Sequence, residues 1–170
     1  MPHPAQLPIE TLLKECEFRR TRRSGPGGQH RNKVETAVVV EHCPTRIRAE
    51  ASERRSQSLN RETAIQRLRV QLALQVRTST LVYSSDSMPS QLWKSRVVGN
   101  RLAVNVAHED FPALLAEALD TLAFQEFDLP ASAVSLGISS SQLVKLLKLE
   151  PAALLSVNRH RNGRGLLDLR

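Results

Sequence analysis

Aromatic side chains are scarce in this sequence. Phe, Tyr and Trp make up 4% of its 170 residues, so a core has to be built from Leu, Val, Ile and Ala. Long apolar runs are missing too. None approaches the ~20 residues that a helix needs to cross a bilayer, which argues against a membrane-spanning protein. Met1 to Pro8 holds three prolines and no basic stretch, unlike a secretory signal, and a cytoplasmic location is expected. Cysteine is limited to Cys16 and Cys43, far apart and in no CxxC pair, which reads as two reduced, partly buried thiols. No His, Cys or Asp cluster has metal-ligand spacing, and no Ser or Cys sits in a nucleophile elbow. Neither a metal nor a cofactor is expected.

What the sequence does have is positive charge, unevenly placed. Residues 1–77 carry 15 Lys and Arg against 8 Asp and Glu, whereas residues 78–170 carry 9 of each. The whole net charge of +7 therefore lies in the first half. Such an excess fits a polyanionic partner, the alternative being a solvated basic face. Most of it is Arg, whose planar fork suits phosphate groups and base stacking.

Hydrophobic periodicity divides the chain into an α+β first part and a helical second part. Leu13 to Arg20 alternates and reads as a strand. Arg22 to Arg31 packs three glycines and a proline into the stretch Gly25-Pro26-Gly27-Gly28, which forbids helix or strand. Thr36 to His42 is β-branched, Cys43-Pro44-Thr45 turns the chain, and Arg46 to Ala51 alternates, which together make a hairpin. Asn60 is a candidate N-cap with Glu62 in the first turn. Ile65, Leu68, Leu72 and Val76 then follow as the stripe of a helix covering the sheet.

Residues 84–91 have linker composition, and Arg101 to Val106 reads as one more strand. Asp110 is placed to cap a helix whose apolar face is Phe111, Leu114, Leu115, Ala118, Leu119 and Leu122. A helix from about Pro130 to Leu136 stops at Gly137. Ser139 to Gln142 has the form of a capping box before a helix with Leu143, Leu146, Leu147 and Leu149. The expected division is 1–83, 84–109 and 110–170.

The stretch Arg23-Ser-Gly-Pro-Gly-Gly-Gln-His-Arg-Asn-Lys33, then Glu35-Thr-Ala-Val, resembles the catalytic loop of class I peptide chain release factors. Pro44-Thr45, Glu53-Arg-Arg-Ser-Gln57 and Asn60-Arg61 continue that family's order over about residues 12–77. Two positions depart from it. Arg46 stands where the family commonly has glycine, which bears on the hairpin turn, and Arg31 stands where a small apolar residue is usual.

The resemblance implies hydrolysis of the peptidyl-tRNA ester in the ribosome, with Gly27, Gly28 and Gln29 as the catalytic residues. The Gln29 N–H would donate to the developing oxyanion or the leaving 3′-oxygen, while its side chain excludes nucleophiles larger than water. Glycines also permit backbone conformations and close approach that other residues block. Arg19, Arg20, Arg22, Arg23, Arg31, Lys33, Arg54, Arg55 and Arg61 would contact RNA, and His30 reads as a polar neighbour of the loop rather than a base.

Implied partners are the ribosome with its large-subunit rRNA, peptidyl-tRNA, and a glutamine methyltransferase acting on Gln29. No codon-recognition domain is apparent and only about 12 residues precede the resemblance. The chain therefore looks like the short, codon-independent rescue type, such as alternative ribosome-rescue factor B. In those relatives a basic tail is thought to occupy the mRNA channel; here Asn158 to Arg170 holds four arginines together with an apolar Leu-Leu.

Ala133 to Lys148 resembles a helix-turn-helix, with Lys145 and Lys148 on the second helix, and equally a plain helical hairpin used for packing. Two other functions compete: a non-catalytic ribosome- or RNA-binding protein that kept the fold, and a DNA-binding regulator built on residues 128–149.

Overall fold

The computed structural model describes residues 2–21, 37–78 and 89–170. The chain divides into two compact units, Leu7–Leu72 and Met1–Gln6 with Ala73–Arg170. Residues 73–78 thus group with the later sequence. Most of the stretch expected as linker lies outside the described residues, and its last two positions, Ser90 and Gln91, cap and open a helix.

In the Leu7–Leu72 unit, α1 (Ile9–Lys14) precedes β1 (Cys16–Thr21). The strand expected from Leu13 therefore starts three residues later, because Leu13 and Lys14 are helical. Pro8 presents its carbonyl to the N–H groups of Thr11 and Leu12 at 2.9 and 3.0 Å, and Leu12 is wholly buried. One turn of helix was hidden in what looked like alternation.

β2 (Ala37–His42) pairs antiparallel with β1, and β3 (Ile47–Ala51) pairs antiparallel with β2, giving the order β1-β2-β3. The register sets Phe18 opposite Val40 and Val40 opposite Ala49. One face then carries Cys16, Phe18, Val38, Val40 and Ala51, and the other Glu17, Arg19, Glu41, Arg48 and Glu50.

The first face is covered by α2 (Gln57–Gln75). The Arg61 guanidinium lies 4.4 Å from the centre of the Phe18 ring on β1, and Arg67 Nη1 donates to the Glu50 carbonyl of β3 at 2.8 Å, so the helix reaches both edge strands. Ala64, Ile65, Leu68 and Leu72 of α2 and Val38, Val40 and Ala51 of the sheet are buried. Each larger aliphatic among them contributes about 1.5–3 kcal/mol relative to exposure.

Asn60 is not the N-cap. The helix opens at Gln57, and Ser56 stands before it with its hydroxyl accepting from Leu59 N–H at 3.4 Å. Glu62 accordingly lies beyond the first turn. In the hairpin turn, Arg46 has φ +61°, the left-handed region where glycine is unstrained. Its N–H donates to the His42 carbonyl at 2.8 Å. His42 is buried between Glu15 Oε2 at 3.0 Å and Thr45 Oγ1 at 2.8 Å. On the outer face the buried Glu41 carboxyl lies beside Arg46 and Arg48, at 3.1 and 2.6 Å, and these contacts, that to Arg46 foremost, hold it below the usual carboxylate range.

The second unit is built around α4 (Phe111–Phe124), buried at every position from Phe111 to Leu122. A helix buried all round is a core element rather than a surface one. α5 (Leu129–Ser135) and α6 (Ser140–Lys148) pack on it, α7 (Pro151–Asn162) packs on α6, and Ser90 ties the start of α3 (Gln91–Arg96) to α4. The strand expected at Arg101–Val106 is only β5 (Arg101–Leu102), paired with β4 (Val97–Val98) in a separate two-stranded hairpin. Gly99 and Asn100, at φ +53° and +61°, form the left-handed pair that a tight hairpin needs.

Asp110 occupies the N-cap position of α4 without a side-chain cap bond, because its carboxylate accepts from Arg96 Nε at 2.9 Å instead. Asp128 and Ser139 do cap α5 and α6, accepting from Ala131 N at 2.7 Å and Gln142 N at 3.3 Å.

Two carboxylates of α4 are buried and cross-link chain segments far away in sequence. Glu117 accepts from Ser90 N at 2.7 Å and Ser90 Oγ at 2.6 Å, and burial pushes its carboxyl above the usual range. Asp120 is bonded by Thr78 Oγ1 and lies 3.4 Å from Arg77 Nη1. His3 is buried in the same unit. Its Nδ1 accepts from Ala5 N at 3.0 Å, so Nε2 carries the proton and donates to the Val76 carbonyl at 3.1 Å. Burial pushes its pKa down, while the Asp120 charge opposes this.

Arg46→Gly should stabilise the chain by up to about 1 kcal/mol, because relief of left-handed strain exceeds the extra unfolded-state entropy. The Arg46 end of the Glu41 contact is exposed and Arg48 still meets that carboxyl, so loss of this ion pair costs little. Urea denaturation checks this, and a destabilised variant would show that the ion pair dominates. His3 gives a pH dependence. Its folded pKa is lowered, so below the ordinary value near 6.5 the unfolded chain binds the extra proton and stability is lost as pH falls. His3→Gln, which cannot titrate there, should lose less melting temperature between pH 7 and pH 5 than the unmodified chain.

Candidate functional site

Register determines what lies at each end of the three-stranded sheet. Thr21, the last residue of β1, pairs with Ala37, the first of β2. The two residues that flank segment 22–36 therefore lie side by side at one end of the sheet. Gly27, Gly28, Gln29, Arg22, Arg23, Arg31 and Lys33 lie within that segment, outside the described residues. Because β3 runs antiparallel to β2, its last residue, Ala51, sits opposite Val38 at that same end of the sheet. The connection 52–56 to α2 starts there, and it bears Arg54 and Arg55.

Asn60 holds this connection. Its Oδ1 accepts from Arg54 N, and its Nδ2 donates to the Arg54 carbonyl, both at 2.9 Å. The Asn60 side chain is fully buried, while Arg54 and Arg55 are exposed. Glu53 takes Ser52 N–H at 3.0 Å and the Arg67 guanidinium at 2.6 Å; the Arg67 contact is the main reason its carboxyl lies below the ordinary range. The sequence pattern suggested a cap at Asn60. The signal for its real role is a side chain that offers donor and acceptor together, which fits a backbone N–H and C=O pair.

Of the expected RNA-contact residues, the five that are described do not form one patch. Arg20, Arg54 and Arg55 gather at the end of the sheet from which segment 22–36 departs. Arg19 is on the face opposite α2, exposed and 3.7 Å from Glu17. Arg61 covers the Phe18 ring and so carries a packing role.

The Cys16 thiol is not poised as a thiolate. Burial, with Cys43 and Glu15 adding to it, pushes this thiol up to about 11, leaving it protonated at neutral pH. Among the described residues no group of three His, Cys, Asp or Glu could hold a metal ion, and no helix is long and apolar enough to cross a membrane.

A family model described as the RF-1 domain matches residues 6–96. The chain belongs to the RF-1 domain family. Peptide chain release factor 1 of Xylella fastidiosa (strain 9a5c) is 43% identical over 70 residues, 41% of this chain and 17% of that protein. The mitochondrial peptide chain release factor 1-like protein of Rattus norvegicus is 39% identical over 72 residues, 42% of this chain and 19% of that one. Peptide chain release factor 1 of Nautilia profundicola is 34% identical over 92 residues, 54% of this chain and 26% of that one. The chain thus spans 17–26% of the length of these relatives. The RF-1 match takes in the whole three-stranded sheet, segment 22–36 and α2.

Arg61→Ala should lower stability by about 0.5–1 kcal/mol through loss of the stacked Phe18 contact, whereas Arg54→Ala and Arg55→Ala should leave it unchanged within error. Denaturation midpoints of the three variants measure this. Equal effects would mean that Arg61 has no special packing role.

Proposed function

We propose that this RF-1 protein hydrolyses the peptidyl-tRNA ester in the ribosomal peptidyl transferase centre, independently of a stop codon, and so releases nascent peptides from stalled ribosomes. The observation that carries the reading is Gly27-Gly28-Gln29 with its basic flanks inside the matched RF-1 domain. Ester hydrolysis there needs a water directed at a carbonyl within a site made of RNA. A backbone donor with no side chains before it meets that need, and one well-placed donor is worth roughly 10²–10³ in rate. In this reading Gly27 and Gly28 allow close approach, Gln29 supplies the N–H donor and excludes bulkier nucleophiles, and its side chain is a substrate for a glutamine methyltransferase.

Arg20, Arg22, Arg23, Arg31, Lys33, Arg54 and Arg55 are the proposed phosphate contacts, with Arg19 reaching RNA from the other face of the sheet and Arg61 serving mainly to hold Phe18. The partners are large-subunit rRNA and the acceptor end of peptidyl-tRNA, in the cytoplasm. The codon-independent form rests on the resemblance to the short rescue relatives. The hydrolytic role falls within residues 1–83, and the helical remainder has a positioning role. Contact with the mRNA channel by the last arginines falls to Arg159. Arg161 bonds the Leu167 and Phe127 carbonyls, at 2.9 and 2.6 Å, and Arg164 lies over the Phe127 ring at 5.1 Å.

Stalled ribosomes carrying labelled peptidyl-tRNA provide the test. The purified chain should release the peptide, and Gln29→Ala and Gly28→Ala should each lower release at least about 100-fold while ribosome co-sedimentation persists. A Gly28→Ala chain with full release would remove the catalytic assignment. Ribosome binding without release by the unmodified chain would favour a non-catalytic RNA-binding protein.

A further inference from the structure

The second unit ends in a strap. After α7 the chain turns back at Gly165, φ +70°, and runs along the helix. Asn158 clamps it in both directions, with Nδ2 donating to the Leu169 carbonyl at 3.1 Å and Oδ1 accepting from Leu169 N at 2.8 Å. Arg161 adds the bond to the Leu167 carbonyl. The clamp fixes the residue beside the next position, Arg170.

Arg170 is thereby placed against α6. It lines an open groove of about 380 Å³ together with Ser140, Ser141, Val144, Lys145 and Lys148 of that helix and Leu129 of α5. Ser141, Lys145 and Lys148 are exposed and recur at i, i+4 and i+7, so they stand on one face of α6. Leu143, Leu146 and Leu147 on the opposite face are buried. Three cations and two hydroxyls line this groove, and no carboxylate is among its lining residues.

We propose that this face of α6, completed by Arg170, binds the phosphodiester backbone of double-helical RNA. The groove is open, its floor is Leu129 and Val144, and the exposed ammonium and guanidinium groups of Lys145, Lys148 and Arg170 stand with two hydroxyls about it, where they can meet successive phosphates. The turn at Gly137 packs α5 against α6 and leaves the Ser141, Lys145 and Lys148 face of α6 outward, where it can lie along the phosphates of an A-form duplex without entering its narrow major groove. The choice of RNA over DNA rests on the proposed ribosomal function. Asn158 is a positioning residue: it carries no charge and acts only by holding Arg170 in place.

The test is direct binding of the full chain to a labelled RNA hairpin of about 16 base pairs, measured by fluorescence anisotropy across a salt series. Lys145→Ala/Lys148→Ala/Arg170→Ala should weaken binding about tenfold or more near 0.1 M salt. It should also flatten the plot of log affinity against log salt by about 2–3, since each phosphate contact contributes about 0.9. All three residues are exposed, so the variant keeps its fold, and circular dichroism checks that.

Asn158→Ala should reproduce the loss seen in Arg170→Ala, a slope change of about 1, and the two together should do no more than either alone. An unchanged slope in the triple variant overturns the proposal. So does additivity of Asn158→Ala with Arg170→Ala, or tighter binding of a DNA duplex of the same length. The assay contains no release step. A chain that binds RNA in this way but releases no peptide removes the hydrolase reading alone, and a chain that releases peptide with an unchanged slope removes this proposal alone.

Discussion

The antiparallel register of β1 on β2 is the constraint on which the RF-1 half depends. Pairing runs from Cys16 with His42 to Thr21 with Ala37, and a one-residue slip would turn Val38 and Val40 out of the core and bring charged residues in. Several contacts at the far end of the strands fix the register. Cys43 N–H donates to the Glu15 carbonyl at 2.9 Å, and His42 lies between Glu15 and Thr45. The chemistry proposed for segment 22–36 needs backbone donors, and glycines give such a segment few side-chain anchors of its own. Its two roots must therefore be held elsewhere, and paired strand ends over a helix-covered sheet hold them.

A different device organises the second unit. Its central helix α4 is apolar over most of its surface, which gives cohesion without direction. Direction comes from Glu117 and Asp120, whose partners are Ser90, Arg77 and Thr78. Buried carboxylates add little net stability over apolar packing, yet removing one partner leaves an uncompensated group and costs several kcal/mol. Such groups favour one arrangement of the segments over the alternatives. Trp93 works in the same way, fully buried with its indole N–H donated to the Leu136 carbonyl at 2.8 Å.

The parts legible in the sequence were those governed by local periodicity. The hairpin, the stripe of Ile65, Leu68 and Leu72, the apolar face of α4, the stop at Gly137 and the cap at Ser139 are all decided within a few residues. What escaped was decided by partners far along the chain. Asp110 had the right type and position for a cap, but Arg96 took its carboxylate. Asn60 looked like a cap and instead holds Arg54 in the preceding connection. α1 escaped because one helical turn after Pro8 imitates strand alternation. For the proposed site, sequence order points to the Gly-Gly-Gln segment, which lies outside the described residues, but does not give the sorting of the arginines that are described. Only strand register sends Arg19 to one face and Arg20 to the other, and only the packing of α2 brings Arg61 onto Phe18.

Charge illustrates the same limit. Residues 78–170 hold equal numbers of acidic and basic side chains, which reads as neutrality when counted along the chain. The fold sorts the two signs differently. Glu117 and Asp120 are buried, Asp110 is bound to Arg96, and Asp128 and Glu150 are turned to helix N-termini, where they accept from Ala131 N and Ala152 N. Carboxylates committed to caps, ion pairs and buried cross-links project little field into solvent. Lys145, Lys148 and Arg170 have no such internal duty on the exposed side of α6. A segment with no net charge thus presents a locally cationic face, because electrostatic attraction to a polyanion depends on where charges lie within about a Debye length, ~10 Å at 0.1 M salt, and not on their sum.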